Sequence, residues 1–236
     1  ILDGNGHVVR RYASTDTVEQ PKDTGQIPWY WIRPPHVLSG APGMHRFVWD
    51  LHYTPAPGVR PSYPIAAVAY NTAPSPTSPW VMPGTYTVRL TANGKTVSRP
   101  LVVKMDPRVK TPVEGLRKQF DLSMQMYNGI IAATRAAEQL RGAKPNITGT
   151  QLEPKGASLL GEPASEFGAP ARAAGQPETL NGIIASLRSV MSLLQQSDVT
   201  PPAQVVAAAA NRKAALDELM QRWNAFKSEA KIGDSQ

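Results

Sequence analysis

The chain has 236 residues, 41% hydrophobic and 18% charged, room for one large domain or two small ones and a globular rather than disordered balance. It has no cysteine, which excludes a disulfide framework, thiolate metal sites and a cysteine nucleophile, and its longest apolar run, VVAAAA at 205–210, is far short of the roughly 20 residues of a transmembrane helix. The net charge of +7 is concentrated in residues 1–110, with 12 Lys/Arg against 6 Asp/Glu, but only Arg10 and Arg11 are adjacent and no nucleic-acid-binding signature is present.

Sixteen of the 23 prolines lie in residues 1–112, which forbids long helices there and favours short strands with irregular connections. ILDGNGHVVRRY, residues 1–12, reads as a hairpin about the turn Asp3-Gly4-Asn5-Gly6. Two long connections, 19–44 and 54–80, flank HRFVWDLHY at 45–53, which alternates with Phe47, Trp49 and Leu51 on one face. Next, Thr85–Leu90 alternates around Tyr86, Val88 and Leu90, turns at Ala92-Asn93-Gly94-Lys95 and returns through Leu101, Val103 and Met105 as further inward candidates. Pro83-Gly84 and Asp106-Pro107 mark the two ends of this hairpin.

From Thr111 the apolar period lengthens to that of a helix. Thr111, Pro112 and Glu114 predict a capping box, and Leu116, Phe120, Met124, Tyr127 and Ile131 predict one buried stripe ending before Gly142. Asn128-Gly129 inside that helix costs about 1 kcal/mol of propensity, which a close helix contact or a mild kink would explain. Residues 143–177 read as an extended Gly/Pro/Ala-rich crossover pinned by Leu159, Leu160 and Phe167. Leu180, Ile183, Ile184, Leu187, Met191 and Leu194 form a second stripe; after Thr200 and Pro201-Pro202 come Leu216, Leu219, Met220, Trp223 and Phe226. Helices are predicted over about 112–142, 179–196 and 201–230, the last two antiparallel neighbours because their connection is short.

ILDGNGHVVRRY, HRFVWDL and PGTYTVRLTANGKTVSRPLVVKMDPR together resemble an immunoglobulin/fibronectin-like module of the flagellar hook-cap type. They are more similar still to the C-terminal region of bacterial secreted sortilin-like and BNR-repeat β-propeller proteins, often labelled glycosyl hydrolase-like. The resemblance covers residues 1–108 and, more weakly, the helical part. It implies an α+β fold: an immunoglobulin/fibronectin III-like antiparallel β-sandwich over 1–110, then a three-helix antiparallel bundle over 111–236. No propeller or aspartate-box repeat is present, so no hydrolase activity is carried over.

No catalytic constellation emerges. His7, His36, His45 and His52 lack metal-ligand spacing, and no nucleophile elbow, P-loop or dinucleotide fingerprint occurs, so catalytic residues, metal and cofactor are all assigned as none. The expected function is a structural, protein-interaction module, an accessory or scaffolding subunit of a larger assembly, such as the exposed face of a membrane complex. The alternative is a carbohydrate-binding accessory region of a glycoside hydrolase-like protein, with a glycan in place of the protein partner. Trp29, Tyr30, Trp31, Arg33 and Trp80 are the candidate partner-binding residues, because aromatic rings anchor proteins and stack on sugars. A start at Ile1 rather than Met is read as a processed or partial product, and the expected location is periplasmic or extracellular.

Overall fold

Turn residues and proline dictate the first half, and helix-forming periodicity the second. The computed structural model describes residues 1–17, 27–33, 37–58, 63, 68–163 and 176–233. The chain forms two compact units, one of Ile1–Pro55 with Val59–Val109, the other of Ala56–Gly58 with Lys110–Gln236.

The first unit contains a single two-stranded antiparallel sheet among the described residues, β1 (Gly84–Ala92) and β2 (Lys95–Val103), turning at Asn93-Gly94. Both turn residues have positive φ, 50° and 74°, as a tight hairpin needs. Leu2 adds to the outer edge of β1 by exchanging both backbone hydrogen bonds with Thr87, each 2.9 Å. Residues 2–8 turn back as a hairpin, Leu2 bridging Val8 while the Asp3 carboxylate accepts from the backbone N–H groups of Asn5 and His7. Val9, Val81 and Tyr86 form the small core, with Ile1, Trp49, Leu51, Tyr53, Leu101 and Val103 packed against it.

The immunoglobulin/fibronectin III-like β-sandwich is therefore corrected: no second sheet faces the hairpin among the described residues. The reason lies in the segment from His45 to Tyr53. Phe47, Trp49 and Leu51 do alternate with the exposed Val48 and Asp50, but Leu51 has a φ of 59°, a left-handed turn that an extended strand cannot contain. Alternation survives and the ladder does not. The segment makes one isolated bridge, His52 to Trp80.

Among the described residues the second unit has four helices, α1 (Val113–Ile147), α2 (Leu152–Leu160), α3 (Leu180–Leu194) and α4 (Ala203–Glu229), which corrects the three-helix bundle. At 35 residues α1 spans roughly 50 Å and continues beyond Gly142 to Ile147. The additional helix, α2, occupies part of the expected crossover; Leu159 is buried there, while Phe167 lies outside the described residues. No capping box forms on α1. Its N-cap is Pro112, and the Thr111 hydroxyl donates instead to the Asp198 carbonyl at 2.5 Å, tying the start of α1 to the α3–α4 connection. Gln119 completes that junction, its amide donating to the carbonyls of Leu194 and Ser197 at the C-terminal end of α3, where helix carbonyls lack intrahelical partners.

Gly129 has its explanation in the packing of α1. A Cβ there would stand 2.8 Å from Leu216 Cδ2 on α4 and 3.1 Å from Leu187 Cδ1 on α3, so the missing side chain lets three helices approach at one level. The buried face of α1 is completed by Leu116, Ser123, Met126, Tyr127, Ile130 and Ala133. No helix among the described residues is long and apolar enough to cross a membrane.

Candidate interaction surface

Four of the five candidate residues share one short segment. Pro28 leads into a single 3-10 turn, Trp29–Trp31, closed by hydrogen bonds from Trp31 N to Pro28 O (2.9 Å) and from Ile32 N to Trp29 O (3.1 Å). Ile27 and Ile32 on either side are buried, anchoring both ends. Ile32 then pairs in parallel with Thr72: Arg33 N donates to Thr72 O at 2.8 Å, and Thr72 N to Trp31 O at 3.1 Å. Thr72 is itself buried, its hydroxyl accepting from Val68 N and donating to Val68 O.

Two anchored ends force the rings between them outward. Trp29 is 69% exposed and Tyr30 44%, their ring centroids 6.0 Å apart and their planes at 86°, while Trp31 is half-buried. Arg33 is exposed, and its Nε donates to Asn71 Oδ1 at 2.9 Å, which ties it to the neighbouring loop. Across the bridge, Val68 and Tyr70 are also exposed. These two were missed in the sequence because nothing in a proline-rich loop signals that Thr72 will pair with Ile32, 40 positions earlier.

The fifth candidate, Trp80, belongs to a different pairing. It bridges His52, and its ring lies on the imidazole with centroids 3.8 Å apart. His52 is buried, and its Nδ1 donates to the Asp50 carbonyl at 2.8 Å. A carbonyl only accepts, so in the neutral ring Nε2 carries the lone pair, and that atom, like Arg10 Nε, is buried without a hydrogen-bond partner among the described residues. The Asp50 carboxylate stands 3.9 Å from Nδ1. This arrangement is not a nucleophile and base: the buried Ser78 hydroxyl donates to the Tyr53 carbonyl at 2.7 Å rather than to His52.

Burial holds the His52 pKa below its ordinary value near 6.5, against the upward pull of the Asp50 carbonyl and carboxylate, with Arg10 adding to the depression. A histidine depressed in the folded state takes its proton first when unfolded. Its contribution to stability is complete above about pH 6.5 and is lost as pH falls through that value towards the folded pKa. The urea midpoint of wild type should therefore drop more between pH 7.5 and pH 5 than that of His52→Phe, which keeps a ring beneath Trp80 and does not titrate. Equal drops would show that His52 is free to protonate in place.

Among the described residues no three His, Asp or Glu side chains gather closely enough to hold a metal ion. In the second unit a groove of about 560 Å³ runs between α1 and α4, lined among others by Met124, Gly129, Leu187, Leu216 and Met220, with the Lys213–Asp217 ion pair beside them. Asp121, Gln125 and Asn128 add polar groups to its wall. No family model, curated protein or solved structure matches the chain.

Proposed function

We propose that this chain is a non-catalytic protein-interaction module, an accessory or scaffolding part of a larger assembly at the cell exterior or in the periplasm, whose contact site is the Trp29–Tyr30 turn. The observation that carries the reading is a pair of large exposed rings on a backbone fixed at both ends by buried isoleucines and by the Thr72 bridge. Rigid aromatic side chains lose little conformational freedom on binding and supply most of the energy of typical protein interfaces. Val68 and Tyr70 extend the same apolar character.

Carbohydrate binding is the competing use of these rings. A flat platform for successive sugar rings needs near-parallel planes, and the 86° between Trp29 and Tyr30 provides one stacking face rather than two, which favours the protein partner.

The double variant Trp29→Ala/Tyr30→Ala tests the proposal on the full chain. Wild-type protein used as bait in extract of the source organism should retain a stoichiometric partner. The variant should bind that partner more weakly by about 2 kcal/mol or more, roughly 30-fold, with an unchanged unfolding midpoint. A wild-type chain that purifies from its source as a monomer, or a variant that retains the partner, would overturn the reading. Glycan-array binding abolished by the same variant would replace it with the carbohydrate one.

A further inference from the structure

The β1–β2 hairpin has one apolar face, and only half of it is covered. The register pairs Tyr86 with Leu101, Val88 with Arg99 and Leu90 with Val97, placing these residues together on one face. At the base, Tyr86 is buried and Leu101 and Val103 are half-buried in the small core. Towards the tip the same face opens to solvent: Val88 is 38% exposed, Leu90 57% and Val97 52%. The opposite face is polar apart from Pro100 and Val102: it carries Thr85, Thr87, Arg89, Thr91, Thr96 and Ser98, with the Thr91 and Thr96 hydroxyls 2.9 Å apart. This is the amphipathic pattern of a sheet meant to be covered along its length.

Charge defines what could cover it. Between Gly84 and Lys104 the chain carries Arg89, Lys95, Arg99 and Lys104 and no Asp or Glu, and Arg99 stands on the apolar face itself. A second copy laid strip to strip would bring Lys95 and Arg99, the cations on this face, against their own counterparts. Strand addition at the free edge of β2 is obstructed as well. Because Thr87 uses both backbone groups on Leu2, its partner Pro100 points its backbone outward from β2, and proline has no N–H to offer there. Insertion into a bilayer would lead with Asn93, Gly94 and Lys95 at the tip, whose polar groups lipid cannot satisfy.

We infer that the distal half of the hairpin docks face-on against an acidic protein surface, an aliphatic ridge flanked by Asp or Glu that covers Val88, Leu90 and Val97 while its carboxylates meet Arg99 and Lys95. This surface is separate from the aromatic turn, and the inference does not depend on that turn's role.

The test uses the full chain and two labelled peptides of matched length, one alternating Val and Glu, the other Val and Lys, with fluorescence anisotropy as readout. The Glu peptide should bind about 10-fold or more tightly than the Lys peptide, and the preference should shrink as salt rises. Leu90→Ser/Val97→Ser replaces only exposed side chains, so its circular dichroism and unfolding midpoint should match wild type while Glu-peptide affinity falls about 10-fold. Arg99→Glu should reverse the preference. Equal affinity for both peptides, or binding insensitive to Leu90→Ser/Val97→Ser, overturns the inference. So does tighter binding to phosphatidylserine-containing vesicles than to the Glu peptide, or a dimer in sedimentation that the double variant abolishes.

Discussion

Leu187→Ala is expected to destabilise the helical unit by about 2–5 kcal/mol, the range found when a fully buried leucine is cut back in a core that cannot collapse around the gap. Leu187 has no exposed surface, and its Cδ1 lies 3.1 Å from the position a Cβ of Gly129 would occupy, so it fills the level at which α1, α3 and α4 come closest. The loss has two parts, the transfer of the removed atoms and the cavity they leave, and the second is large here because glycine opposite offers nothing that can move in. Alanine's better helix propensity returns only a few tenths of a kcal/mol. Leu193, six residues further along α3, points away from that face and is 52% exposed; it provides the control, and Leu193→Ala should change stability by no more than about 0.5 kcal/mol. Urea unfolding followed by circular dichroism decides it. A Leu187→Ala loss below 1 kcal/mol would mean that the three helices do not converge at Gly129.

The contrast between α3 and the other elements shows which physical signals the sequence carries. Of the six large, helically spaced apolar residues expected on α3, Leu180, Ile183, Leu187, Met191 and Leu194 are buried and Ile184 is half-buried. On α1 the predicted stripe captured Leu116 and Tyr127 but ran through the half-buried Met124 and Ile131, because much of the true contact face is Ser123, Gly129 and Ala133. Those residues are there to be small, and a search for hydrophobicity passes over them. The α2 helix was hidden by Pro154 and Gly156, residues that read as loop. Proline in the first helical turn removes an N–H that would have no intrahelical partner, and Gly156 permits close contact, its absent Cβ lying 3.1 Å from Ile147 and 3.2 Å from Phe226.

In the first unit, alternation gave the facing of side chains correctly and the sheet count wrongly. Trp49 and Leu51 do turn towards Tyr86, yet strand pairing needs a continuous extended partner, and the left-handed backbone at Leu51 denies it. The aromatic turn was legible for a local reason, three rings directly after a proline. Its surroundings were not, since Val68 and Tyr70 join that surface only through the Ile32–Thr72 bridge.

Gly161→Ala should cost about 2–4 kcal/mol, because one methyl group damages two helix ends at once. Gly161 follows the last residue of α2 with φ 71° and ψ 171°, a conformation essentially reserved for glycine, and an L residue held there is strained by about 1–3 kcal/mol. The added Cβ would also lie 2.4 Å from Thr179 Oγ1 and 2.5 Å from Thr179 Cβ, distances no real contact sustains. Thr179 is the N-cap of α3, its hydroxyl accepting from Gly182 N at 3.1 Å, so moving it away forfeits about 1 kcal/mol of capping. The Asn181 amide, which donates to the Gly161 carbonyl at 2.8 Å, holds the two chain segments together and prevents an easy escape. Gly149→Ala separates the two contributions: its φ is also positive, 75°, but nothing lies within 4 Å of the added Cβ, so only backbone strain of about 1 kcal/mol should be lost. The unfolding midpoint of Gly161→Ala should therefore fall clearly below that of Gly149→Ala. Coincident midpoints would mean that Thr179 yields freely and that the end of α2 does not position the start of α3.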